Sequence, residues 1–280
     1  MMLGAVLLIL IGAADLIRGA RAQDARRGLE TATIAVVWLL VLVITVLGLG
    51  VPAWWVLVPL VLAVGWVWST SAKADVRRAT GILPGVGVLV AVPASMLLSS
   101  FLPEPGGFLV AAHAAAPLGI VRAVPLEAIV LGAGVALFLV ESANIVVRAA
   151  LRPAVLEADD VAAAAASAEG ATAKTAPAAG SSRLRWWRRP PVVPIAPAVT
   201  DLKGGRLIGP LERLLITALT LAGALPIVAG ILAAKGIVRF PEISIDGGRG
   251  SKAEYFLVGS LVSWAIALAA AALLWVAAQG

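Results

Sequence analysis

Residues 31–49, TATIAVVWLLVLVITVLGL, run for nineteen positions without a charge. A stretch like this has few places to go: it must lie inside a very large core or cross a lipid bilayer. Six more long apolar stretches occur, near residues 2–17, 53–70, 81–101, 126–147, 208–234 and 255–277. One chain of 280 residues cannot bury seven of them in a water-soluble core, and with 61% of residues apolar and 14% charged the bilayer is the solvent that fits. A hydrocarbon layer about 30 Å thick needs about 20 residues of helix, and an open strand or loop would leave its backbone polar groups unsatisfied in lipid. No strand-like alternation occurs. The sequence predicts an all-α, polytopic membrane protein with about seven transmembrane helices.

Orientation follows from the cations. Arg18, Arg21, Arg26 and Arg27 follow the first stretch, which places that loop in the cytoplasm and the N terminus outside. The ARAQ sequence at residues 20–23 resembles a signal-peptidase site, but no cation precedes the apolar stretch and Asp15 interrupts it, so a retained helix is expected. Lys73, Arg77 and Arg78 return the chain to the cytoplasm after the third stretch, as do Arg148 and Arg152 after the fifth. Residues 108–124 are apolar but short, broken by Pro117 and closed by Arg122, and are expected to lie at the outer surface as an interfacial or re-entrant segment. The division is then a five-helix membrane domain over 1–152, a flexible cytoplasmic linker over 153–205 with a short helix near 156–168, and a two-helix membrane hairpin over 206–280 that ends in the cytoplasm. This scheme puts residues 235–253 outside despite their four cations. The alternative is that 208–234 is a re-entrant hairpin, broken near Pro226 in AGALPIVAG, which brings those cations back to the cytoplasmic face.

Ionisable residues inside apolar stretches are costly, so each requires a reason. Asp15, Glu141, Asn144, Glu212 and Arg213 form the intramembrane polar set, and Glu141 and Asn144 share a helix face because they are three apart. They serve either a polar cavity or proton path, or structure, satisfied by water or a neighbouring cation near the inner interface. Lys235 and Arg239, four apart in LAAKGIVRFPE, face Glu254 and Tyr255 across a short loop. That cluster reads as a headgroup-binding or ligand site for a phosphate-bearing anion, or else as an ion-pair knot closing the last hairpin. Within the linker, RLRWWRRPP interleaves Trp186 and Trp187 with Arg183, Arg185, Arg188 and Arg189, a composition suited to the headgroup layer as a membrane-surface anchor. Gly81 with Gly85, and Gly259 with Ser263, have the spacing of close helix contacts.

Much chemistry is excluded. There is no cysteine, and the one histidine, His113, rules out histidine-rich zinc sites within the chain. GRGSK at 248–252 lacks the Gly-Lys-Ser/Thr order of a phosphate loop. No metal and no cofactor are expected, and the net charge of +6 is scattered over loops, which argues against a nucleic-acid partner.

The sequences GRLIGPLERLLI, AAKGIVRFPEI and KAEYFLVGSLVSW, spanning about residues 204–270, together resemble the C-terminal region of a family of uncharacterised bacterial integral membrane proteins. The resemblance maps the family's signature onto Glu212, Arg213, Lys235, Arg239, Glu254 and Tyr255. No counterpart of that family's N-terminal His-Leu-Leu-x-Asp-Phe-like motif is present. The resemblance implies a multi-pass protein of the bacterial inner membrane and no particular reaction. The expected function is that of a non-catalytic accessory or assembly subunit, with anionic lipid and a protein partner or a second copy as binding partners. The alternatives are a transporter or channel for a small or anionic solute, and a lipid-phosphate-binding or lipid-modifying enzyme.

Overall fold

The computed structural model describes residues 1–20, 27–70, 82–153, 156, 205–244 and 251–279. Among them there is no strand: the chain is all-helical. Among the described residues ten α-helices follow in order. They are α1 Met2–Ala20, α2 Arg27–Val43 (prolonged by a π turn, Ile44–Gly48), α3 Leu57–Ser69, α4 Leu83–Leu97, α5 Phe108–Ala114, α6 Gly119–Ala123, α7 Leu126–Pro153, α8 Gly205–Leu221, α9 Leu225–Ser244 and α10 Ser251–Gln279. The linker over 153–205, its short helix at 156–168 and the RLRWWRRPP anchor fall almost wholly outside the described residues.

The N-terminal helix is the central strut. α1 is 78% buried across its apolar window, against 17% for Gly28–Gly48, and it is surrounded by α2, α3, α4 and α7. In lipid, apolar surface alone does not drive helices together, so close packing must. Glycines permit it. A Cβ on Gly12 would fall 2.7 Å from Leu137 Cβ, and one on Gly134 would fall 2.8 Å from the Ala5 carbonyl oxygen, so α1 and α7 meet backbone to backbone and run parallel. A Cβ on Gly85, of the expected small-residue pair, would fall 3.2 Å from Val146, while Gly81 lies outside the described residues. Residues 108–124 form two short helices, α5 and α6, tied by His113, whose Nε2 donates to the carbonyls of Val121 and Val124 at 3.0 and 3.1 Å.

Among the described residues, four helices are long and apolar enough to cross a membrane, against the seven spans expected: Met2–Ala20, Gly28–Gly48, Leu126–Pro153 and Tyr255–Gln279. The third and fourth stretches form α3 and α4, of 13 and 15 residues, and the sixth is not one helix. It breaks at Ala222–Ala224, where Gly223 takes φ +73°, and the chain doubles back from α8 into α9. Glycine meets that left-handed geometry without a Cβ clash, and Pro226 cannot continue the α8 hydrogen-bond ladder.

The break changes the orientation of the C-terminal region. Gly259 of α10 lies against Leu151 and Gly132 of α7 lies against Leu274, so α10 runs antiparallel to α7. α1 runs parallel to α7. The start of α1 and the end of α10 therefore sit at the same end of the bundle, not at opposite ends as expected. α9 runs from the turn toward the Arg148 and Arg152 end, so Ser244 and Ser251 both lie there. Lys235 and Arg239 on α9 and Lys252 on α10 therefore belong to helices that meet the cation-rich end, which eases the charge conflict of the single-span reading.

Candidate functional site, a buried polar layer

α7 widens into a π turn over Phe138–Ser142, FLVES. A π turn adds one residue to a helical turn, rotates the following side chains, and is often found at functional sites. Here it touches α1 on one side and α8 on the other. The polar residues of the apolar stretches gather at that level in three connected groups.

The first group is centred on Asp15, with 0% exposure. Arg18 Nη1 donates to its Oδ1 at 2.8 Å and Trp66 Nε1 donates to Oδ2 at 2.8 Å. The i, i+3 spacing puts Arg18 on the same face of α1 as Asp15. Arg18 is itself fixed by Thr70, donating to Oγ1 at 3.2 Å and also to the backbone carbonyl, while Thr70 Oγ1 donates to the Trp66 carbonyl at 2.6 Å. Ser142, also fully buried, lies beside the Asp15 carboxylate, but its Oγ makes no formed hydrogen bond.

The second group is centred on Arg213, 2% exposed. Its Nε donates to the Leu139 carbonyl at 2.9 Å, Nη2 to Asn144 Oδ1 at 2.6 Å and Nη1 to Ser263 Oγ at 3.4 Å. The first acceptor belongs to the π turn. Asn144 is held in turn by donating from Nδ2 to the Val140 carbonyl at 3.1 Å. Glu141 is buried on the same turn, within electrostatic range of Arg213.

Glu212 precedes Arg213, and one helical step of about 100° turns it toward α9 and α10. There Lys235 Nζ donates to both of its oxygens, at 2.8 and 2.7 Å, and Trp264 Nε1 donates to Oε1 at 2.9 Å. Lys235 Nζ also lies 5.6 Å from the Trp264 ring centroid. The side chains of Glu212 and Lys235 are 12% and 30% exposed, which makes this the most accessible of the three groups.

The layer joins all five of the expected intramembrane residues and takes Lys235 from the expected headgroup cluster. Tyr255 is exposed, and the side chains of Arg239 and Glu254 lie outside the described residues. Trp66, Thr70, Ser142 and Trp264 were missed by sequence reasoning, and Ser263 was read only as a packing residue. A tryptophan or serine in an apolar helix carries no mark of function, and Trp66, Ser263, Trp264 and, through Arg18, Thr70 meet partners 50 or more residues away in the chain. Among the described residues, no three carboxylate or imidazole side chains converge as metal ligands.

The chemistry of the layer is neutralisation. Asp15 faces Arg18, Glu212 faces Lys235, and Arg213 is surrounded by acceptors. Such closed groups fix helix register strongly, since removing one member strands a buried charge. Comparison with known protein families, curated proteins and solved structures finds no match.

Proposed function

We propose that this chain is a non-catalytic membrane subunit that assembles with another integral membrane protein through the α8–α9 hairpin. The observation that carries the reading is the depth of the hairpin turn. α8 and α10 run parallel and are registered where Thr217 Oγ1 donates to the Ala267 carbonyl at 3.0 Å. From that level α8 continues four residues to Leu221, about 6 Å, and α10 continues twelve to Gln279, about 18 Å, at 1.5 Å per residue. The turn therefore stops about 12 Å short of the end of α10. Irregular backbone at membrane depth persists only where protein or a water-filled cavity covers it. Ala222 and Gly223 are exposed, and α9 packs chiefly against α8, burying Val228 while Leu225, Ile227, Ile237 and Val238 face outward. An apolar partner helix with a hydroxyl or amide donor at the level of the turn would cover both the side chains and the exposed turn backbone.

Because the chain has no cysteine, single cysteines can be introduced cleanly. A photocrosslinker attached at Ile227 in native membranes is expected to yield one discrete protein adduct, and the same label at Val61, exposed on α3, is expected to yield lipid adducts. Lipid adducts alone from Ile227 would refute the reading. A homo-oligomer would appear as an adduct of twice the chain mass. The resemblance of residues 204–270 to the bacterial family makes the bacterial inner membrane the proposed location, with anionic lipid as a further partner.

One observation favours transport as the second reading: a partly exposed Lys235–Glu212 pair bridges the two arms of a helical hairpin that turns at Ala222–Ala224, and discontinuous helices are what hold solutes in many transporters. Anion flux in proteoliposomes that is lost in Lys235→Met would favour it over assembly.

A further inference from the structure

Arg148 and Arg152 lie beyond the polar layer, at the C-terminal end of α7. Four residues apart, they stack on one helix face. Arg152 Nε is closed off from solvent and has no hydrogen-bond partner. Arg148 makes contacts of its own and belongs to the same stack of positive charge. The negative end of α7 favours both cations, yet it gives Arg152 Nε no acceptor. Close by on the same helix, Leu151 rests against Gly259 of α10. α8 starts at the same level: a Cβ on Gly209 would fall 3.7 Å from Asn144 Oδ1, and four residues back along α8, like four forward along α7, is about 6 Å. The open amides of Gly205–Leu221 therefore begin near Arg148, bringing the positive end of a 17-residue helix toward two guanidinium groups. Like charges so placed repel unless an anion stands among them.

We infer that this end of α7 binds a phosphate-bearing anion, with the planar donor fork of Arg152 as its principal contact and Arg148 as its second positive charge. A phosphate oxygen supplies the acceptor that Nε lacks, and guanidinium matches phosphate in a paired geometry that an ammonium cannot reproduce. The ligand is either the phosphodiester headgroup of a membrane lipid or a free phosphate compound at the membrane edge. This site is separate from the α9 surface, so the assembly reading and the anion site can fail independently.

The test uses the full chain in nanodiscs. Native mass spectrometry counts retained phosphatidylglycerol in wild type, Arg152→Gln, Arg152→Lys and Arg122→Gln, the last a control at an exposed arginine on α6. In parallel, inorganic phosphate is titrated against thermal unfolding in nanodiscs of zwitterionic lipid alone. Loss of the fork is expected to weaken binding about tenfold or more in Arg152→Gln, with Arg152→Lys intermediate and Arg122→Gln unchanged. Weakened lipid retention assigns the site to a headgroup. A phosphate-induced rise in Tm that is lost in Arg152→Gln assigns it to a soluble phosphate compound. If Arg152→Gln is monodisperse and binds both probes like wild type, or if wild type binds neither, the inference is overturned. If Arg152→Gln does not fold, Arg152→Lys carries the comparison, and equal binding by wild type and the lysine variant refutes the fork.

Discussion

Replacing Arg213 with methionine tests whether the polar layer holds the two halves of the bundle in register. Methionine approximates the length of the arginine stem and removes every donor. The change breaks bonds of 2.9 Å to the Leu139 carbonyl and 2.6 Å to Asn144, and a weaker one of 3.4 Å to Ser263. Hydrogen bonds between membrane helices average about 0.6 kcal/mol and reach about 1.7 kcal/mol. Two short bonds to a charged donor belong in the upper part of that range, and the third adds little, so the gross loss is about 3 kcal/mol. Relief from burying a charge offsets part of it, because apolar replacement of a buried ionic group is often neutral or favourable. We expect a net loss of about 2 kcal/mol. The number by itself is weak evidence; the coupling is stronger. Asn144→Leu removes the same 2.6 Å bond from the other side, so the double variant should cost at least about 1 kcal/mol less than the two single changes added together. Reversible unfolding in mixed micelles, followed by far-ultraviolet circular dichroism, measures all four proteins of the cycle. Additivity within about 0.3 kcal/mol, or wild-type stability in Arg213→Met, would refute the idea that Arg213 joins α8 to α7.

Four further outcomes are expected. Asp15→Asn should lose about 3 kcal/mol or more in the same unfolding assay, because it leaves the buried Arg18 guanidinium without its carboxylate; the double change with Arg18→Leu should recover part of the loss. Gly12→Ala should lower stability by about 1 to 3 kcal/mol despite the better helix propensity of alanine, since its methyl group meets the Leu137 backbone. Gly65→Ala, with nothing within 4 Å of the added Cβ, should be neutral or gain up to about 1 kcal/mol, and equal effects at the two sites would sink the parallel α1–α7 contact. Gly223→Ala should cost about 1 to 2 kcal/mol because its φ of +73° is left-handed, and a wild-type melting temperature would argue against the turn.

The polar positions of the site were legible because charge is rare in these stretches. Asp15, Glu141, Asn144, Glu212 and Arg213 stand out as soon as the chain is read as membrane-embedded. Their pairing was not legible. Asp15 is joined to Trp66 across 51 residues, Arg213 to Asn144 across 69 and to the Leu139 carbonyl across 74. No helical periodicity carries that information, and the Leu139 carbonyl has no signature in sequence at all, since every residue has one. Lys235 was grouped with Glu254 because the two are close along the chain. The doubling back of α9 brings it to Glu212, which meets it with both carboxylate oxygens, while the Glu254 side chain lies outside the described residues.

Composition determined the solvent and, through it, the helices: in a bilayer, a chain with long uncharged runs and no alternation must close its hydrogen bonds within each segment. Pro226 and its small neighbours also marked 208–234 as a place where a helix can break. Only the tertiary structure decided that it does break, how far from the end of α10 the turn lies, and which end of the bundle holds the C-terminal residues. These depend on register between helices distant in sequence, set by backbone contacts at Gly12 and Gly134, by the Thr217 bond to Ala267 and by the added residue of the π turn in α7. Such terms act between segments, whereas propensity and hydropathy act within them.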